Sequence, residues 1–363
     1  MKSWDAIIIG AGIIGLSLAI ELNTRGLRVL IVEKGEPGRE ASWAAGGMLV
    51  DSAFETRPEL CELAKASAAI YPEFVHELED ESGVKIDLRS NGAIVLTRMR
   101  TELHSVLTEH SSVTTQAYPL PRPLAELEPA LRVTETEMAV LFVKERCVDP
   151  RDLTSAAIAA ARHRGIDFSS GDHVIGVEVA DGRMSGVRTN KTQFSAGMVV
   201  NCAGAWAGQI GPYQFPTRPV KGQMLCVVMP KKELVRHVVR TPDVYLIPRS
   251  DGRMLIGATV EEAGFDKQTV PETILKLRQA ALDLVPKLAD ARILEAWAGL
   301  RPGTPDGLPI LGATPTPGYF VATGHFRDGI LLAPVTAKIM GQMMTAQNPQ
   351  IDISRFSAER FAS

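Results

Sequence analysis

Cysteine is scarce in this chain of 363 residues: four are present, and none forms a CxxC pair. Cys61, Cys147, Cys202 and Cys226 lie far apart, a pattern that offers neither a zinc site nor a disulfide framework and fits free thiols in a cytoplasm. The seven histidines also lack the spacing of metal ligands, so no metal is expected. No Lys/Arg-rich run occurs and the formal net charge is -3. Without a concentrated basic stripe to neutralise phosphates, nucleic acid is not an expected partner. Long apolar runs are missing too. The run from Ala6 to Ala19 is broken by Gly10, Gly12 and Gly15, which argues against a signal peptide or a membrane span. No internal period of about 20 to 50 residues recurs, so solenoid and propeller folds are set aside.

What remains is an ordinary globular composition, 45% hydrophobic and 22% charged. The length exceeds what one core usually organises, which predicts two packed domains and a cleft between them. Residues 4–9 (WDAIII) read as a buried strand, 13–25 as a helix stopped by Gly26, and 28–33 (RVLIVE) as a second strand. Together they make a βαβ unit with parallel strands. Residues 35–50, dense in Gly, Ala and Ser, read as a loop, and a helix follows from about Pro58 to Glu81. The segments 83–89 and 93–98 flank Ser90-Asn91-Gly92 as a hairpin. Asp149-Pro150 opens an Ala-rich helix to Gly165, Asp181-Gly182 turns a second hairpin, and 194–206 reads as strand, glycine turn and helix start. Residues 217–229 and 244–258 read as antiparallel strands, the latter turning at Ser250-Asp251-Gly252. A helix at 271–286, a Pro/Gly-rich loop, a strand at 318–324 and a helix from Gly329 to Ala346 complete the chain. The expected fold is α/β: a Rossmann-like domain from residues 1–83, 145–213 and 298–363, with an antiparallel-sheet domain from 84–144 and 214–297 inserted into it.

Gly10-Ala11-Gly12-Ile13-Ile14-Gly15 falls between the first strand and the first helix, the context in which GxGxxG acquires a meaning. Gly10 permits the tight turn, Gly12 lets backbone amides of the Ile13-Ile14 turn reach phosphate oxygens, and Gly15 allows close helix–strand packing. Glu33, ending the second strand, can accept hydrogen bonds from ribose hydroxyls and disfavours a 2′-phosphate. This predicts a dinucleotide site, with NAD and FAD both open.

Three further segments separate the two. Residues 38–49 (GREASWAAGGML), 298–307 (AGLRPGTPDG) and 324–334 (GHFRDGILLAP) resemble, in the same order, the flavin-contacting motifs of the D-amino acid oxidase family, and most of all its glycine oxidases of thiamine biosynthesis. The likeness runs to about Gly341. It implies a glutathione-reductase-type FAD-binding domain and non-covalent FAD. Covalent attachment, as in monomeric sarcosine oxidases, is set aside because no cysteine follows Cys226.

The resemblance also implies which residues touch the cofactor: Lys34, Arg39, Ala41, Ser42, Ala45, Gly46, Gly47 and Met48 from the second loop, and Val174 at the adenine edge. Cys202, Ala203, Gly204 and Trp206 would lie near the ribityl chain, and His325, Phe326, Arg327, Asp328, Gly329, Ile330 and Leu331 at the last helix. Small side chains at 41–48 would let backbone amides lie against the isoalloxazine ring, with the Ser42 hydroxyl on a phosphate; a plain surface loop is the alternative. The start of the last helix would favour negative charge gathering on the flavin N1/C2 carbonyl edge. Arg301 offers two parallel donors for a substrate carboxylate, with an ordinary ion pair as its alternative role. Tyr245 matches a tyrosine that assists it, Arg327 a further active-site arginine, and Met48 a substrate contact. Phe326 and Asp328 depart from the tyrosine and asparagine common in relatives, and Val260 from a methionine. The implied reaction is hydride transfer from the α-carbon of glycine or another small amine or D-amino acid to flavin N5. An imine results, then a 2-oxo acid, ammonia and, with dioxygen, hydrogen peroxide. The rival is a D-amino acid dehydrogenase that uses a quinone or another acceptor. A homotetramer is expected by analogy alone.

Overall fold

A computed structural model describes residues 3–52, 55–97, 117–118, 120–133 and 139–361. The first βαβ unit forms where the apolar pattern places it. β1 (Trp4–Ile9) and β2 (Val29–Glu33) are parallel, and α1 (Ile13–Thr24) crosses between them. Their interior residues are buried on both faces, so they read as unbroken apolar runs rather than alternating ones. The sheet extends from β10 (Val174–Ala180) through β11 (Arg183–Thr189), β12 (Gln193–Asn201), β1 and β2 to β9 (Asp167–Ser170). β19 (Tyr319–Thr323) pairs with β12, and β18 (Ile310–Ala313) with β19. On one side, α1, α3 (Cys61–Ser82), α5 (Pro150–His163) and α7 (Gly329–Met344) share a core that includes Leu18, Leu63, Ala157 and Met340. Asp149 caps α5 as expected, its side chain accepting from the Arg151 N–H.

The second sheet has the order β17 (Arg292–Gly303), β13 (Arg218–Val228), β16 (Arg253–Gly257), β15 (Tyr245–Pro248), β14 (Val238–Arg240), β5 (Ala93–Thr97), β7 (Ala139–Val143) and β6 (Ala117–Tyr118). Pairing is antiparallel except between β14 and β5. Leu277 and Ala281 of α6 (Pro271–Leu284) pack on one face, with the short α4 (Leu124–Leu127) contributing Leu124. The opposite face carries Met224, Ile247 and Trp297, and packs against Ala44 of α2 (Ala41–Ala44). A small third sheet joins β3 (Met48–Leu49), β8 (Arg146–Val148) and β4 (Leu88–Arg89).

Three expectations are corrected. The hairpin at Ser90-Asn91-Gly92 does not form: β4 pairs with β8, and β5 with β7 and β14 in another sheet. A turn-forming triplet cannot say which partner each flanking strand meets, and here more distant strands win. The loop at 35–50 contains one helical turn, α2, and the strand β3, because neighbouring segments supply partners that its composition does not reveal. The border drawn between residues 297 and 298 falls inside β17, which pairs with β13 from Arg292 to Gly303.

Candidate active site

A cavity of about 750 Å³ lies between the two main sheets, running from the β1–α1 turn to the ends of β13, β15 and β17. At the first end, the Glu33 carboxylate accepts from the Ala11 and Gly35 amides at 2.8 and 2.9 Å. These bonds tie two loops together, and a carboxylate has lone pairs to spare for a further donor. A β-carbon at Gly15 would stand 2.1 Å from the Gly10 carbonyl oxygen, so only glycine lets α1 approach the strand end. Gly15 thus acts by packing and does not line the cavity. Ser42 Oγ accepts from the Ile13 amide at 2.9 Å. The hydroxyl thereby satisfies one free donor at the N-terminus of α1 and keeps its own proton for an anion.

The segment 41–48 is held from three sides. Besides Ser42, Trp297 Nε1 donates to the Ala44 carbonyl at 3.1 Å, and the buried Arg249 donates to the Gly46 carbonyl at 2.7 Å and the Val148 carbonyl at 3.0 Å. Gly47 has φ +79, and a β-carbon there would meet the Val148 carbonyl oxygen at 1.9 Å. The chain can turn here only as glycine. Arg39, expected at the cofactor, is turned away. Glu36 at 3.1 Å and the Trp43 ring at 5.6 Å hold its guanidinium outside, where it lines a separate cleft. Leu331 is likewise buried in the core and does not line the cavity.

At the other end Arg301, on β17, donates to the Thr259 carbonyl at 3.1 Å and weakly to the Lys221 carbonyl at 3.4 Å. It has no carboxylate partner among the described residues. Burial lowers its pKa, the neighbouring Tyr245 opposes that, and Arg327 adds to it. Burial raises the Tyr245 phenol, which Arg301 beside it pulls back. The structure thus brings Arg301, Tyr245 and Arg327 together in one wall, with Met48 and Val260 also lining the cavity.

The turn before α7 forms the remaining wall. His325 is buried with Nε2 3.1 Å from Thr336 Oγ1, and desolvation lowers its pKa to about 3. Asp328 lines the cavity at the N-cap, and burial raises it to about 6 against the pull of Arg327 and Arg57. Cys202, Ala203, Gly204 and Trp206 line it, and Lys34 Nζ stands 2.9 Å from the Trp206 ring centroid. Ile13, Ile14, Ala41, Ala45, Gly46, Val174, Phe326, Gly329 and Ile330 also face it.

Sequence reasoning missed several lining residues. Asp172, beside Val174, is buried with one carboxyl oxygen lacking a partner, an acceptor awaiting a donor at this end of the cavity. Gly222 and Met224 line it from β13, and Glu55 and Arg240 from a buried cluster in which Arg240 pairs with both Glu55 and Glu145. No motif marks these positions, since their partners are distant in sequence. Free helix amides, the doubly anchored Glu33, the proton left on Ser42 and the unpartnered Asp172 oxygen together suit a dinucleotide's phosphates, ribose and adenine.

The FAD dependent oxidoreductase family matches residues 5–343. A glycine oxidase from Pseudomonas aeruginosa is 34% identical over 362 residues, covering 95% of this chain and 96% of that protein. The bifunctional protein ThiO/ThiG of Trichormus variabilis is 34% identical over 361 residues, 98% of this chain and 55% of that protein; the chain spans about half the length of this relative. The crystal structure of glycine oxidase from Geobacillus kaustophilus matches with a TM-score of 0.93 at 32% identity, covering 99% of each chain.

Proposed function

The chain belongs to the FAD dependent oxidoreductase family, with FAD as its cofactor, and on that premise we propose that it oxidises glycine and other small amines or D-amino acids at the α-carbon. The products are an imine, then a 2-oxo acid and ammonia, with dioxygen as reoxidant and a place in thiamine biosynthesis. The observation that carries this reading is Arg301: a cation in a cavity wall that donates to two backbone carbonyls, lies beside Tyr245 and forms no ion pair with a carboxylate among the described residues. A desolvated guanidinium of this kind favours an anion, and a carboxylate matches its two parallel donors.

In this reading Gly10, Gly12, Ile13 and Ile14 hold the pyrophosphate, with Ser42 donating its hydroxyl proton. Glu33 and Lys34 hold the ribose, and Val174 and Asp172 the adenine edge. Trp206, beside Lys34, would lie along the ribityl and ribose stretch, and the 41–48 segment and the 325–330 turn would enclose the ring. Bound FAD supplies the acceptor for the two electrons and the hydrogen that leave the α-carbon. Arg301, Tyr245 and Arg327 clasp the carboxylate and so fix the position of the α-carbon, which is where this chain's contribution to rate arises. Met48 and Met224 form the apolar wall beside it.

Anaerobic mixing of the yellow holoenzyme with glycine tests the proposal. Bleaching of the flavin absorption is the expected result, and an oxygen electrode then identifies the acceptor. Failure of glycine, sarcosine and small D-amino acids alike to bleach it would overturn the assignment.

A further inference from the structure

Asp328 is the carboxylate that the 324–330 turn contributes to the cavity wall. It stands at the N-cap of α7, yet its side chain makes no capping hydrogen bond. Its charged neighbours are Arg327 on the same turn and Arg57, just before the short helix Pro58–Leu60. Arg57 is itself engaged by Glu59 and by the Asp306 carbonyl. Arg301 on β17 is a further charged group, acting on Arg327 of this turn. His325 is kept neutral by burial, and α3 presents Ser67 and Tyr71, which donate to the Leu331 and Ile330 carbonyls.

Asp328 is therefore pulled in two directions, and burial outweighs the opposing pull, leaving it at about 6. The helix N-terminus and two arginines favour the carboxylate, and desolvation favours the acid. A group placed in this way responds to any charge that appears nearby. Reduction of a flavin in this cavity adds one negative charge to it, which raises the affinity of a neighbouring carboxylate for a proton by about tenfold or more.

We propose that Asp328 takes up one proton each time the bound flavin receives two electrons, and returns it on reoxidation. The inference rests on the flavin lying in this cavity, as the proposed function has it. The balance is as follows: the substrate gives up two electrons and one hydrogen from its α-carbon, and Asp328 takes a proton from solvent, so the site gains two electrons and two protons. On reoxidation dioxygen takes both electrons, the transferred hydrogen and the Asp328 proton, and leaves as hydrogen peroxide. Asp328 is then a carboxylate again.

The test is the flavin midpoint potential of the holoenzyme between pH 6 and 8, measured electrochemically with mediator dyes and no amine. One proton per electron pair gives about 30 mV per pH unit for a two-electron couple, and two protons about 59 mV. The wild type should show the steeper slope over part of this range, and Asp328→Asn the shallower one throughout. Identical slopes in both proteins would overturn the proposal. If Asp328→Asn fails to retain flavin, the reduced-minus-oxidised infrared spectrum of the wild type decides: a protonated-carboxyl band must appear on reduction, and its absence would overturn the proposal as well. Because no amine is used, a failure of glycine to bleach the flavin sinks the substrate assignment without touching this result.

Discussion

Replacing Gly222 by alanine displaces the Arg301 guanidinium without removing it. Gly222 lies in β13 opposite Gly299 of β17, and a β-carbon there would stand 2.4 Å from both terminal guanidinium nitrogens and 2.6 Å from the carbon between them. The three nearest atoms all belong to the end of this flexible side chain, which gives ground while the strand stays. Restoring ordinary contact requires a movement of about 1 Å, given that non-bonded heavy atoms sit comfortably at roughly 3.5 Å. A misplacement of about 1 Å in a positioning group costs on the order of 10²-fold in rate. The same figure follows from losing one charge-assisted hydrogen bond of about 1.5–3 kcal/mol. Fold stability should change by less than about 1 kcal/mol, because removing a strand glycine slightly favours the folded chain. The assays are anaerobic flavin bleaching by glycine in a stopped-flow instrument and titration of the flavin spectrum with acetate, which carries a carboxylate and no amine. Both should weaken by about two orders of magnitude while FAD affinity and melting temperature hold. Unchanged acetate binding in a folded, yellow Gly222→Ala protein would refute the role given to Arg301.

Trp297→Phe keeps an aromatic ring beside Arg151 and Trp43 but deletes the N–H that holds the Ala44 carbonyl. The loss of about 1 kcal/mol should raise the FAD dissociation constant roughly fivefold, read from the fluorescence of released flavin; an unaltered constant would show that the 41–48 segment needs no such anchor. The pH dependence of stability should change with His325→Gln. The folded-state pKa of His325 is about 3, below the unfolded value of about 6.5. As pH falls below about 6.5 the unfolded chain binds a proton that the folded chain refuses, so the wild type loses stability that the variant keeps. Urea midpoints at pH 7 and pH 4.5 should fall further for the wild type, and parallel falls in both proteins would contradict the buried, neutral imidazole.

The parts of the molecule legible in the sequence are those whose partners are near in the chain. The first βαβ unit, its glycine turn and the Asp149 cap each announce themselves within a few residues, because a local hydrogen bond or close approach dictates the residue type. The hairpin at Ser90-Asn91-Gly92 went wrong for the converse reason. Its turn chemistry is local, but β4 and β5 are claimed by β8 and β14, which lie far along the chain. Arg39 shows a second limit. Its position next to the cavity-lining segment is legible, yet the direction of its side chain is set by Glu36 and Trp43.

Ionic groups near the cavity fall into two kinds, and only the structure separates them. Arg249 and Arg253 share Asp149, and Arg240 is gripped by Glu55 and Glu145. Such clusters compensate their charge internally and act chiefly to join segments. Glu33 and Arg301 are held instead by backbone, the first by the amides of Ala11 and Gly35 and the second by the carbonyls of Lys221 and Thr259. Backbone dipoles fix the position of a charge without cancelling it. One end of the cavity therefore keeps the negative Glu33 and the other the positive Arg301, already oriented before anything binds. That polarity follows from what each charged side chain does not pair with, a property that depends on the whole fold and that no spacing of residues along the chain records.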